Sequence, residues 1–88
     1  MEITFDPNKD AANIAKHGVS LALSAEIEWS EVMVRPDTRR DYSELREIGF
    51  GLIGDRLYCV VFTQRGETLR IISLRKANSK EIRDVQES

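Results

Sequence analysis

The sequence predicts an α+β domain, an antiparallel sheet with two N-terminal helices on one face and a short helix at the C-terminus. Three observations predict it. Apolar residues alternate from Met1 to Phe5, two helix-start signatures follow at Asp6-Pro7 and Ser20, and three apolar segments separated by glycine turns fill the second half of the chain.

Met1, Ile3 and Phe5 alternate with Glu2 and Thr4, the period-two pattern of a half-buried strand. Asp6 can accept hydrogen bonds from the free amides of a first helical turn, and Pro7 fits the first helical position, so a helix is expected from about Pro7 to His17. Its small apolar stripe is Ala11, Ile14 and Ala15. Gly18 is expected to end it in a left-handed conformation, with Lys16 and His17 at the negative end of the helix dipole. Ser20 should cap a second helix, with Leu21, Ala25 and Trp29 on one face at four-residue spacing. Met33 to Arg35 reads as a short edge segment that Pro36-Asp37 breaks.

After the polar link Thr38 to Glu44, three strands are expected, at Arg46–Ile53, Leu57–Thr63 and Thr68–Arg75. Gly54-Asp55 suits a two-residue turn with glycine first, and Gln64 to Glu67 a slightly longer loop, which gives an antiparallel meander. Asn78 or Ser79 can cap a last helix with Ile82 and Val85 inward. With the helices on one face, the other face is expected to be partly open. Gly49 and Gly51, opposite Ile48, Phe50 and Leu52, either make that open face shallow enough for a ligand backbone or mark a crowded packing contact. Tyr58, Val60 and Phe62 share one face of the central strand and read as core before they read as a base-stacking platform.

Eighty-eight residues suit a single domain over 1–88, and one so small buries only roughly 60% of its unfolded surface. An apolar fraction of 41% against 32% charged residues describes a folded chain rather than a disordered one. The apolar runs are too short to cross a bilayer and the N-terminus has no signal-peptide pattern, so a cytoplasmic protein is expected. Cys59 lies in an apolar run and reads as a small buried hydrophobe. One histidine and one cysteine are too few for a soft-ligand metal centre, so we expect metal-independent chemistry and no cofactor.

The net charge of -2 gives no global field to attract nucleic acid. Its distribution is uneven. Up to Pro36 there are three basic residues against six acidic, whereas from Asp37 onward there are ten against nine, eight of the ten being arginines. A local arginine face can therefore still hold RNA, and the acidic surface remains available to a basic protein partner.

Phe5-Asp6, Asn13-x-x-Lys16-His17-Gly18-Val19-Ser20, Arg40-Asp41-Tyr42, Gly54-Asp55-Arg56, Thr63-x-Arg65-Gly66 and Arg70-Ile71-Ile72-Ser73-x-Arg75-Lys76-Ala77, taken together, resemble the BrnT family of bacterial type II toxins. The resemblance spans nearly the whole chain. It implies a RelE-like fold, a growth-arresting endoribonuclease, and neutralisation by a BrnA-type antitoxin whose ribbon-helix-helix part binds operator DNA, so that DNA is reached only through the antitoxin. The chain departs from the family in carrying Val85 where a tyrosine is usual, and Leu21 to Leu23 where acidic residues are usual.

Metal-free RNA cleavage needs a base for the 2′-hydroxyl proton, cations for the charge building on the phosphate, and an acid for the leaving 5′-oxygen. His17 is the natural base or acid by pKa. It also reads as a helix C-terminal residue packed on the sheet, and both readings stay open. Arginine suits the phosphate because its planar fork binds oxygens bidentately and stays charged. The candidate catalytic set is Lys16, His17, Arg40, Arg75 and Lys76, and the candidate RNA-binding set is Arg65, Arg70, Gly49 and Gly51. Arg70 and Arg75 have opposite parity, so a bulge is required if both are to face the same side. The rival function is a non-catalytic module that binds a DNA-binding partner through the same arginines.

Overall fold

A computed structural model describes residues 1–41 and 43–88. Five strands, β1 (Glu2–Thr4), β2 (Met33–Pro36), β3 (Glu47–Ile53), β4 (Arg56–Arg65) and β5 (Thr68–Lys76), form one sheet in the order β1-β5-β4-β3-β2. The meander β3 to β5 is antiparallel, as expected, and the edge segment β2 pairs antiparallel with β3, but β1 pairs with β5 in parallel, so the sheet is mixed. The two hairpin turns have the same length. Ile53 pairs with Arg56 across Gly54-Asp55, and Arg65 pairs with Thr68 across Gly66-Glu67, where a longer loop was expected. Gly54 and Gly66 both adopt positive φ, 62° and 63°, the conformation a two-residue turn demands at its first position.

Helix α1 (Pro7–His17) begins and ends as its caps predict. Asp6 accepts from the Asn8 amide at 2.8 Å, and Gly18 closes the helix at φ 77° with its N–H donating to the Ile14 carbonyl. The second N-terminal helix is absent as an α-helix. Residues Leu21–Glu26 and Trp29–Glu31 form two short 3-10 segments, the first capped by Ser20. Leu21, Ser24 and Ile27 are buried and Ala25 is exposed, so the inward period is three rather than four. The Trp29 indole N–H donates to the Ser24 carbonyl at 3.0 Å and its ring meets Phe62 edge-on.

Helices do not lie on one face alone. Leu21 and Ile27 pack with Tyr58, Val60, Phe62, Leu69, Ile71 and Leu74, so the aromatic residues of β4 are core on that face and not a stacking platform. On the opposite face Ile48, Phe50, Cys59, Val61 and Ala77 form a second cluster, against which the C-terminal helix α2 (Ser79–Gln86) sets Ile82 and Val85. Gly49 and Gly51 belong to the first, packed face. A Cβ on Gly49 would stand 2.8 Å from Val32 Cγ1, and one on Gly51 would stand 2.7 Å from Ile27 Cγ2. They are crowded contacts under the 3-10 segments and do not open a ligand surface, so they leave the RNA-binding set.

Candidate nucleic-acid interface

The local sequence positions α1 through one residue. Three residues of β5, Thr68 to Arg70, are covered on its outer edge by β1, and beyond that point α1 lies along the strand. Asn13 replaces the missing strand there. Its Nδ2 donates to the Leu74 carbonyl at 2.8 Å and to the Val19 carbonyl at 2.9 Å, while its Oδ1 accepts from the Leu74 amide at 3.1 Å. A side-chain amide thus satisfies both backbone groups of a buried edge residue. The first turn of α1 is tied down as well, because Asp10 accepts from both Ser20 Oγ and the Leu21 amide.

This docking brings the C-terminal turn of α1 to the far end of β5. His17 is half-buried there, and desolvation, followed by the charges of Lys16 and Arg75, holds its pKa below the ordinary imidazole value. The imidazole is therefore biased to its neutral form at pH 7, the form able to accept a proton.

The face of β5 opposite the Leu21 cluster carries both arginines. Opposite Val61 stands Ser73, yet opposite Phe62 stands Ile71, so Ile72 is an extra residue on β5. The bulge reverses parity between Arg70, paired with Thr63, and Arg75, paired with Cys59, and both come to the Cys59 face. Lys76 pairs with Tyr58 instead and points to the packed side, so Arg75 and Lys76 do not share a face. Across the sheet, Arg35 of β2 adds a guanidinium 5.9 Å over the Phe50 ring.

Two arginine–carboxylate forks mark the ends of this face. At the α1 end, Arg75 donates to both oxygens of Glu81 at 2.8 Å, and Glu81 also accepts from the Asn78 amide at 2.9 Å in the capping box of α2. The Arg75 hydrogen bonds hold the Glu81 carboxyl at about 2 and push the guanidinium up. At the other end, Arg65 donates to Glu44 Oε1 at 2.9 Å and Oε2 at 3.3 Å, with both side chains exposed. Arg40 lines a surface hollow of 340 Å³ there, together with Glu44 and Arg46. Arg40 is thus at the loop end of the face, away from the corner where the charges of Lys16 and Arg75 reach His17. Tyr42 of the Arg40-Asp41-Tyr42 motif lies outside the described residues.

Sequence reasoning missed three contributors. Asn13 has no apolar reason to face inward, although an asparagine in mid-helix, where its propensity is poor, is a signal. Arg39 forks onto buried Asp37 through Nε and Nη2, both at 2.8 Å, and its charge reaches Cys59 and Arg75. Glu81 was visible only as the third residue after an Asn cap. Burial is the main influence on the Cys59 thiol and pushes it up, which fits an inert core cysteine. Among the described residues no group of three or more His, Cys, Asp or Glu is gathered, and no helix is long and apolar enough to cross a membrane.

The geometry defines a small α+β domain with an arginine-bearing sheet face and one histidine at its edge. A family model described as the ribonuclease toxin BrnT of type II toxin-antitoxin systems matches residues 5–81, and the chain belongs to that family. No curated protein matches the chain. The family makes its members RNA-cleaving toxins held by an antitoxin protein.

Proposed function

We propose that this chain is a metal-independent endoribonuclease toxin of RelE-like fold, acting in the cytoplasm and neutralised by a BrnA-type antitoxin that contacts operator DNA. The observation that carries the reading is the corner where Asn13 sets the end of α1 beside β5, so that a histidine biased to neutrality stands near Lys16 and Arg75.

In this reading His17 takes the 2′-hydroxyl proton. The 2′-oxygen then bonds to phosphorus, the bond to the 5′-oxygen breaks, and Lys16, next to His17 in the chain, is assigned the protonation of that leaving oxygen. The products are a 2′,3′-cyclic phosphate and a 5′-hydroxyl, and DNA is not a substrate because it lacks the nucleophile. Arg75 holds the phosphate through its Nε–H, which has no hydrogen-bond partner among the described residues while the two terminal nitrogens bond to Glu81 and the Lys76 carbonyl. Arg70 and Arg65 lie further along the same sheet on the path of the RNA strand. Lys76 and Arg40 act at longer range.

The test is incubation of the purified chain with total RNA in EDTA, followed by end-group analysis, with His17→Ala alongside. Cyclic-phosphate ends that vanish in the variant support the reading; intact RNA from folded protein counts against it.

One observation favours a second reading, a non-catalytic module that binds the antitoxin. Arg75 is already committed to Glu81. Growth separates the two readings, since a catalytic toxin expressed alone stops cells and its antitoxin relieves the arrest.

A further inference from the structure

The two forks differ in how readily they open. Glu81 is half-buried and serves α2 as well as Arg75, whereas Glu44 and Arg65 are exposed, with side-chain exposures of 44% and 55%, and Glu44 serves nothing else among the described residues. An exposed ion pair of this kind exchanges easily with another anion.

The Arg65 hydrogen bonds hold the Glu44 carboxyl below the usual carboxylate range, and the charges of Arg46 and Arg70 act in the same direction. Arg70 makes no side-chain hydrogen bond among the described residues, although it is half-buried. Opposite it on β4 lies Thr63, 1% exposed, whose hydroxyl has no hydrogen-bond partner among the described residues. A buried hydroxyl without a partner is costly to fold around, and it is a donor in reserve for a ligand oxygen. Arg65 holds a carboxylate, the register sets Arg70 diagonal to Arg65 on the same face, and the idle hydroxyl lies opposite Arg70, an arrangement suited to a phosphodiester in place of Glu44.

We propose that Glu44 holds the place of an RNA phosphate, and that Arg65, Arg70 and the Thr63 hydroxyl form a second phosphodiester subsite which RNA fills by displacing Glu44. It is distinct from the His17 corner. Thr63 and Cys59 are the partners of Arg70 and Arg75, and the four ladder steps between them span about 13 Å at ~3.3 Å per residue, too far for one phosphate. The subsite would position the strand while His17 and Arg75 act on the scissile bond. This inference rests on the ribonuclease reading and extends it.

The test is fluorescence anisotropy with a labelled 2′-O-methyl single-stranded RNA, which cannot be cut, measured across a salt series. Glu44→Gln is expected to tighten binding by up to about fivefold, the worth of one exposed ion pair. Arg70→Ala is expected to weaken binding and to reduce the slope of log K against log salt by about 0.7, the share of one phosphate contact on a single strand. Thr63→Val, which keeps the shape and removes the hydroxyl, is expected to weaken binding without lowering the thermal midpoint. If Arg70→Ala fails to fold, Arg70→Lys carries the same test, since it keeps the charge and loses the fork.

Wild-type binding that none of these variants changes would overturn the subsite and leave the ribonuclease reading intact. A wild type that neither binds nor cuts RNA would overturn both. If Glu44→Gln instead tightened binding of a labelled polyglutamate peptide and not of RNA, the cluster would be a protein-docking site and the proposal would fall.

Discussion

The anchored end of the arginine face and its loop end use the same pair of groups to different effect. At the anchored end, Arg75 and Glu81 bond to each other, to the Lys76 carbonyl and to the cap of α2, beside a helix that Asn13 fastens to Leu74. At the loop end, Arg65 and Glu44 bond, among the described residues, to each other alone, and both are exposed to water. Burial and shared partners, not the chemistry of guanidinium and carboxylate, decide which fork is structural and which is exchangeable. A site that must hold geometry for proton transfer gains from the first kind. One that must admit and release a strand gains from the second.

The largest break in this contrast is expected from Asn13→Ala, which leaves the Leu74 amide and carbonyl without partners. Each such buried group costs ~1–3 kcal/mol, so urea unfolding should show a loss of about 2–4 kcal/mol together with a loss of cleavage. A change below ~0.5 kcal/mol would mean that α1 is not held by this residue.

Arg75→Ala is next. It strands a half-buried carboxylate and is expected to cost about 1–3 kcal/mol, whereas Arg65→Ala should leave the unfolding midpoint unchanged. Equal losses at the two positions would erase the distinction. Because Arg75 is expected to lose stability as well as activity, cleavage by Arg75→Lys, compared with its thermal midpoint, separates the two contributions. Lysine keeps the charge but not the fork.

Acid titration sharpens the same point. The folded-state pKa of Glu81 is depressed from 4.5 to about 2, so the stability it supplies is complete above pH 4.5 and is lost as pH falls through the folded value. Glu81→Gln should therefore flatten the acid limb of the stability curve, and Glu44→Gln should alter it much less. The smallest effect is at His17, whose folded-state pKa lies below the unfolded value near 6.5. The folded protein binds that proton less well, so stability should decline slightly as pH drops below about 6.5, and His17→Gln should abolish this decline.

Local signals fixed much of the fold because their physics is local. Asp6 and Gly18 bound α1 as capping chemistry predicts, Gly54 turns the first hairpin, and Asn78 opens α2 through a capping box with Glu81. The four antiparallel strands lie within a residue or two of where alternation and glycine turns put them. Failures occur where a choice depended on neighbours distant in sequence. Leu21, Ala25 and Trp29 obey a four-residue period in the sequence, but the sheet selected Leu21, Ser24 and Ile27, and the segment wound more tightly to comply. Gly49 and Gly51 could serve an open face or a crowded one, and only the position of Val32 and Ile27 over them settles which.

The candidate site divides in the same way. By itself the sequence determined the inventory: one histidine at a helix end, a C-terminal half rich in arginine, and the set of motifs that places the chain in its family. It also set a condition, that Arg70 and Arg75 need a bulge to share a face. Tertiary structure supplied the bulge at Ile72, turned Lys76 away from Arg75, and paired Arg65 with Glu44 and Arg75 with Glu81. Side-chain parity, burial and ion pairing depend on cross-strand register and on contacts between residues far apart in the chain, and a one-residue shift in register reverses every one of them.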